Sequence, residues 1–150
     1  MKGGGVQISQ AASIALHGMG ILALQGRRIS VRELSEMISV SEPHAAKVFQ
    51  RLTRAGLVNS LRGPSGGVEL AVPASKITLY EVYEAIEGKP SSDYCLINKQ
   101  HCPFGSCIFG GMLTRINEEF IKYLSSRTLA DLVRSDLFDE TKGITTSNKN

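Results

Sequence analysis

The sequence has no run of about 18 or more apolar residues, so no segment is long enough to span a bilayer as a helix. Its first ten residues, MKGGGVQISQ, are too polar for a secretory signal, which predicts a cytoplasmic protein. It also has no Ser/His/Asp order, no carboxylate pair in a cleft pattern and no phosphate-cradling loop before a helix. These absences predict a protein that is not an enzyme and that does not act at a membrane.

The cysteines are few and clustered. There are three, and all lie within CLINKQHCPFGSC, from Cys95 to Cys107. An odd number cannot close as internal disulfides alone, and in a reducing cytosol clustered thiols favour a metal. The net charge of +3 permits nucleic-acid binding but does not argue for it, so the placement of the charges decides.

The chain predicts a long first helix. Apolar residues recur at steps of three and four from Ile8 to Ala23, with Ser9 as the N-cap and a stop at Gly26. Gly18 and Gly20 each weaken a helix by about 1 kcal/mol relative to alanine. Their presence indicates close packing against a neighbouring element.

Two short helices are predicted next, joined by a turn at residues 39–41. Ser30 is the predicted N-cap of the first helix, with Glu33 completing a capping box, and Ser41 is the predicted N-cap of the second. The predicted apolar face of the first helix consists of Leu34, Met37 and Ile38. Two short helices joined in this way, the second more basic, are typical of a helix-turn-helix.

A β-hairpin is predicted directly afterwards. Strand-like runs at 57–61 and 68–72 flank the turn RGPSGG. A helix-turn-helix followed by a hairpin is a winged helix. Its tip presents Arg62 on a slender loop that fits a minor groove, where the focused negative potential attracts a guanidinium.

The predicted DNA contacts lie on the second helix of the pair and on the wing. The N-terminal end of such a helix meets base edges in the major groove, and later basic residues such as Arg51 and Arg54 take phosphates or salt bridges. The alternative is a solvated charged face in a winged-helix interaction module. The predicted contacts are Arg32, Ser41, Glu42, His44, Lys47, Arg51, Arg62 and Ser65.

Two further helices are predicted on either side of the cysteine loop. Thr78 and Glu81 predict a capping box before a helix whose apolar face is Leu79, Val82, Tyr83 and Ile86. After Cys107, apolar residues alternate steps of four and three, the spacing of a coiled-coil seam within a dimer. That predicted seam consists of Phe109, Leu113, Ile116, Phe120 and Tyr123, and a last short helix contains Leu129, Leu132 and Val133.

The cysteine spacing is C-x6-C-x4-C. Structural zinc sites usually use two-residue knuckles, whereas these wider gaps allow the loop to wrap a larger object. Thiolates also suit iron–sulfur clusters, whose commonest complement is four ligands. The spacing leaves open a cluster, a zinc ion, and redox-active or unliganded thiols. His17, on the first helix, is in structural terms a partly buried packing histidine.

The whole arrangement resembles a known family. Over residues 6–133, the chain resembles the Rrf-type winged-helix iron–sulfur transcription regulators (the IscR, NsrR and RirA group). The resemblance rests on the three-cysteine loop and on the four segments that precede it: ISQAASIALH, LSEMISVSEPHAAKVFQRLTRAGLV, LRGPSGGVELA and ITLYEVYEAIEG. The resemblance implies a homodimer, a palindromic double-stranded DNA operator and a [2Fe–2S] or [4Fe–4S] cluster held by Cys95, Cys102 and Cys107. It also implies that cluster assembly, oxidation or nitrosylation changes DNA affinity.

The resemblance leaves the fourth ligand open. IscR-like members have a histidine three residues beyond the last cysteine, where this chain has Gly110. NsrR-like members use an acidic residue of the first helix from the partner subunit, where this chain has Ser13. His17, one turn on, matches a histidine ligand in a redox-sensing member, His101 is the alternative within the loop, and an exogenous ligand is the third option.

The predicted fold is mainly α with a small β-hairpin. It comprises a winged helix-turn-helix DNA-binding domain at 1–90, a cysteine cluster-binding loop at 91–107, a dimerisation helix with a terminal helix at 108–135 and a disordered tail at 136–150. The predicted function is a DNA-binding transcriptional regulator, such as a repressor, that senses iron, redox state or nitric oxide. The alternatives are an interaction module with a structural zinc loop and a cluster-free thiol-based or cysteine-metabolism regulator.

Overall fold

A computed structural model describes residues 6–90 and 103–134. Within them it has six α-helices, one 3-10 helix and one two-stranded antiparallel sheet, so the predicted mainly α fold with a small hairpin is confirmed. In chain order, the elements are α1 Gln10–Gln25, α2 Val31–Ile38, α3 Glu42–Arg54, β1 Val58–Leu61, β2 Gly67–Leu70, a 3-10 helix Ala74–Lys76, α4 Leu79–Glu87, α5 Met112–Ser125 and α6 Leu129–Val133.

Helix α1 has the predicted caps and the predicted close packing. The Ser9 hydroxyl accepts the Ala12 N–H at 3.1 Å, and Gly26 ends the helix in the left-handed conformation. A Cβ on Gly18 would lie 2.6 Å from Cζ of Phe49, so α1 passes directly over the α3 side of the core at that point. Glycine is needed there because the buried Phe49 ring has no room to withdraw.

Helix α2 departs from the sequence prediction in its cap. The Ser30 hydroxyl accepts the Glu33 N–H, but the Glu33 carboxylate binds Arg27 at 2.7 Å, so only half of the predicted capping box forms. An adjacent guanidinium attracts a carboxylate more strongly than a neutral backbone N–H does.

The predicted apolar face of α2 is also partly wrong. Met37 is 47% exposed, whereas the buried residues of the helix are Leu34 and Ser35. The buried side therefore centres between these two residues, and Met37 lies roughly a third of a turn away from it. After the turn at 39–41, Ser41 precedes α3 as predicted, although its side chain makes no capping hydrogen bond there.

The wing is attached to the chain that enters α2. Strand β1 pairs with β2 in a register that places Val58 opposite Leu70. Val68 also exchanges two backbone hydrogen bonds with Ile29, at 2.8 and 3.0 Å. These bonds fix the hairpin against the helix-turn-helix body.

Helix α4 begins as predicted. Thr78 and Glu81 form the full capping box, and Gly88 is the C-cap. All four residues of the predicted apolar face are buried: Leu79, Val82, Tyr83 and Ile86.

Helix α5 begins later than predicted. Gly110 and Gly111 have φ values of +50° and +78°, so the chain turns there and the helix starts at Met112, which leaves Phe109 outside it. The predicted seam also divides between two sides. Phe120 packs edge-on against Tyr83 with ring centroids 5.1 Å apart, whereas Ile116 remains 49% exposed.

The last described helix, α6, is capped by its own carboxylate. Thr128 donates its backbone N–H to Asp131 at 2.8 Å, and this hydrogen bond lowers the pKa of the Asp131 carboxyl below its ordinary value. Among the helices of residues 6–90 and 103–134, none has the length and apolar content needed to cross a membrane.

Candidate nucleic-acid interface and cysteine loop

Helix α3 has a buried face and a polar face. Its apolar residues belong to the core, namely Ala45, Val48, Phe49 and Leu52. Because the core uses that face, the opposite side carries the polar residues outward: Ser41, Glu42 and Lys47 are exposed and His44 is half-buried. The first turn of α3 thus presents the side chains that a helix-turn-helix uses in a major groove.

A positively charged groove separates the end of α3 from the wing. It is open, encloses about 470 Å³ and includes Arg54 and Arg62 in its lining. Neither guanidinium forms an ion pair with another described residue. Two cations that flank one groove suit the phosphate backbone of DNA.

The groove also contains residues that the sequence prediction missed. Gln50 and Ser60 line it from α3 and from β1. A signal existed for Gln50, which follows Lys47 by three residues on the same side of the helix. Ser60 had no sequence signal, because the direction in which its side chain points depends on how β1 pairs with β2.

Two of the predicted DNA contacts are engaged within the protein. Arg32 pairs with Glu36 at 3.2 Å, one turn along α2, and both side chains are largely exposed. Arg51 donates a hydrogen bond to the backbone carbonyl of Ile86 in the last turn of α4. Arg62 and Ser65 are exposed in the wing.

Part of the cysteine loop lies outside the described residues, including Cys95, His101 and Cys102. The thiol of Cys107 is exposed in a series of turns that precedes α5. Within residues 6–90 and 103–134, no three His, Cys, Asp or Glu side chains converge in a metal-binding group.

His17 lies in the middle of α1. Its ring is exposed, so the interpretation of His17 as a partly buried packing residue is wrong. Nδ1 lies 2.7 Å from the carbonyl oxygen of Ser13. Because a carbonyl oxygen only accepts, Nδ1 is the donor in this hydrogen bond, and Nε2 is the ring nitrogen that the bond does not use.

The last turn of α4 joins several elements, and we call Tyr83, Ile86 and Glu87 the α4 junction. Ile86 accepts the hydrogen bond from Arg51 of α3. Glu87 accepts from both the backbone N–H, at 3.0 Å, and the hydroxyl of Ser9, which caps α1.

The Tyr83 hydroxyl extends the α4 junction to the segment before α1. It donates to the carbonyl of Gln7 at 3.0 Å, and burial raises its pKa, which keeps the hydroxyl protonated. None of these contacts has a local sequence signal, since the partners lie 35 to 78 residues apart.

Comparison with known proteins agrees with this architecture. The family model Rrf2, described as iron-dependent transcriptional regulator, matches residues 8–135. Protein aau3 of Rhizobium meliloti (strain 1021) is 32% identical over 133 residues, which cover 87% of this chain and 86% of that protein.

Solved structures show the same fold. CymR, the global cysteine regulator of B. subtilis, superposes with a TM-score of 0.71 at 25% identity, over 86% of this chain and 97% of that one. T. potens IscR superposes with a TM-score of 0.68 at 24% identity, over 92% of both chains. The predicted membership is therefore confirmed: the chain belongs to the Rrf2 family of DNA-binding transcriptional regulators.

Proposed function

We propose that this protein regulates transcription through an iron–sulfur cluster held by Cys95, Cys102 and Cys107, and that the cluster controls its affinity for an operator. The observation that carries the proposal is the placement of all three cysteines in one thirteen-residue stretch between α4 and α5 of an Rrf2-type winged helix. In the chain, this stretch connects α4 of the DNA-binding body to α5.

The available donors fit such a cluster. The Cys107 thiol is exposed, and deprotonated thiolates are the usual ligands of iron–sulfur clusters. When bound, the cluster supplies iron atoms whose ligation and oxidation state respond to iron supply, redox state or nitric oxide.

His17 is our candidate for the fourth ligand, supplied by the partner subunit. The Ser13 carbonyl accepts the hydrogen bond from Nδ1, which leaves Nε2 as the ring nitrogen that would bind iron. His101 is the competing candidate within the loop.

The DNA-reading surface is the outward side of α3 together with the wing. Ser41, His44 and Lys47 meet the major groove, and Arg62 enters the neighbouring minor groove. Arg54 neutralises phosphate from the groove between them.

A homodimer completes the operator-binding form. Helix α5 exposes Met112, Ile116 and Tyr123, at 41%, 49% and 44%. Large apolar side chains on one helix are buried when two copies associate. Two reading heads related by a two-fold axis bind a palindrome with half-sites about 34–36 Å apart.

Anaerobic purification tests the cofactor. The expected protein is brown, with visible absorption, and contains iron and acid-labile sulfide in matching amounts. His17→Ala and His101→Ala distinguish the two ligand candidates, because only loss of the true ligand changes the cluster spectrum. A colourless protein loaded with zinc would instead indicate a structural zinc loop.

A second candidate function follows from the likeness to CymR, a global cysteine regulator, at a TM-score of 0.71. In this alternative the protein regulates cysteine metabolism without a cluster, through its thiols. It predicts a colourless, iron-free protein whose operator affinity changes on thiol oxidation and is restored by a reductant.

A further inference from the structure

We infer that Arg51 is a positioning residue that transmits the state of the cysteine loop to the recognition helix α3. The inference rests on the proposed function, because it takes the loop to be the sensor. It assigns Arg51 a role inside the protein in place of the DNA contact that its basic character suggests.

The hydrogen bond between Arg51 and the Ile86 carbonyl is strong enough to couple the two helices. The last carbonyls of a helix have no partner within it, and Ile86 lies in the last turn of α4. A guanidinium that donates to such a carbonyl satisfies it and also opposes the negative end of the helix dipole. The hydrogen bond is charge-assisted and therefore stronger than one between neutral groups.

Arg51 is also the specific connection between the two helices. Helices α3 and α4 pack against each other, but in the described part of the chain no other hydrogen bond joins them. A displacement of the end of α4 therefore reaches α3 through this guanidinium in addition to the apolar contacts.

The α4 junction is placed to receive such a displacement. Gly88 ends the helix, and the cysteine-containing segment begins a few residues later. Glu87 holds the cap of α1, and the ring of Phe120 in α5 packs on Tyr83 at 5.1 Å. The last turn of α4 thus contacts α1, α3 and α5. If the cysteine loop tilts this turn, the packed helices move with it, because packed elements do not deform gradually.

The same helix provides a matched control. Arg54, three residues after Arg51, lines the groove beside the wing and has no hydrogen bond to α4. It keeps the same charge at the same end of α3. A comparison of the two arginines therefore separates positioning from DNA contact.

The test measures operator affinity with the cluster present and after anaerobic removal of iron by a chelator. The DNA is a duplex selected from random sequences by the wild-type protein. For coupled sites the ratio of the two affinities is typically about 5- to 150-fold. We expect Arg51→Met to bring this ratio towards one, and Arg51→Lys to restore it in part, because an ammonium also donates to the Ile86 carbonyl.

The control should behave differently. Arg54→Met should weaken both states equally, leave the ratio unchanged and reduce the salt dependence by about one phosphate contact. The inference is overturned if Arg51→Met shows this same pattern, or if its ratio equals that of the wild type. A wild-type ratio of one would refute the sensing function itself and the inference with it.

Hydrogen exchange on the wild-type protein gives an independent test that needs no variant. Assembly and removal of the cluster should change the amide protection of the last turn of α4 and of the second half of α3 together. A change confined to α4 would overturn the inference even if Arg51→Met did not fold.

Discussion

The attachment of the wing depends on Gly67, and replacing it by alanine should detach the hairpin from the helix-turn-helix. Gly67 has φ +142°, and an added Cβ would lie 2.4 Å from the carbonyl oxygen of Ile29. That carbonyl accepts the hydrogen bond from Val68 that holds the wing. The alanine methyl group would therefore displace the Ile29 carbonyl oxygen and break this hydrogen bond.

A matched control lies four residues earlier in the same hairpin. Gly63 also has a positive φ, +105°, but an added Cβ there would meet nothing within 4 Å. Each substitution carries a backbone strain of about 1–3 kcal/mol. Gly67→Ala additionally loses the two hydrogen bonds between Ile29 and Val68, at about 1 kcal/mol each.

The assay compares thermal unfolding and operator affinity of the two variants. The extra loss of about 2 kcal/mol should place the melting temperature of Gly67→Ala roughly 4–8 °C below that of Gly63→Ala. Operator affinity should also fall further in Gly67→Ala, because the wing would no longer hold Arg62 in place for the proposed minor-groove contact. Equal losses in the two variants would refute this account of how the wing is attached.

Three further predictions concern the DNA surface, the dimer and the acid response. Arg62→Ala and Lys47→Ala should each weaken operator binding and lower its salt dependence by about one phosphate contact, whereas the control Lys122→Ala, on α5, should leave both unchanged. Wild-type affinity in Arg62→Ala and in Lys47→Ala would contradict the proposed DNA-reading surface. Ile116→Glu should convert the proposed dimer to monomers in sedimentation equilibrium, because it places a charge on the apolar face of α5 that we propose as the interface; an unchanged mass would rule out this face. The pKa of Asp131 is lower in the folded state than its ordinary value. The stability that the ionised carboxylate contributes is therefore complete above the ordinary carboxyl pKa and is lost as the pH falls through the pKa of the folded state. Asp131→Asn should therefore melt with a weaker dependence on pH in acid than the wild type, and an identical pH profile would show that this cap contributes nothing.

The sequence predicted best the features whose determinants are local. Ser9, Gly26 and the pair Thr78 and Glu81 set helix ends by contacts within one turn, and all act as predicted. The wing followed from a glycine-rich turn between two short strands. Such signals need only a few neighbouring residues, so they can be read without knowledge of the fold.

The predictions failed where a distant or competing partner decided the outcome. Arg27 takes the Glu33 carboxylate from the cap of α2, and the two glycines before α5 delay the helix that the apolar spacing alone placed near Cys107. The Arg51 contact was unpredictable for the same reason, since Ile86 is 35 residues away in the chain. Basic character indicated a surface role, but only the packing of α3 on α4 shows where the guanidinium points.

The helix that carries the candidate fourth ligand and the recognition helix are both hydrogen-bonded to the α4 junction. His17 lies on α1, whose N-cap Ser9 is held by Glu87 of the α4 junction. The residue before Glu87 is Ile86, whose carbonyl accepts the hydrogen bond from Arg51 of α3. In the proposed dimer, the last turn of each α4 would therefore respond to both clusters, to one through its own cysteine loop and to the other through its own α1. Loss of the proposed His17 ligand and release of the cysteine loop should consequently have similar effects on operator affinity, since we propose that both reach α3 through the Arg51 hydrogen bond.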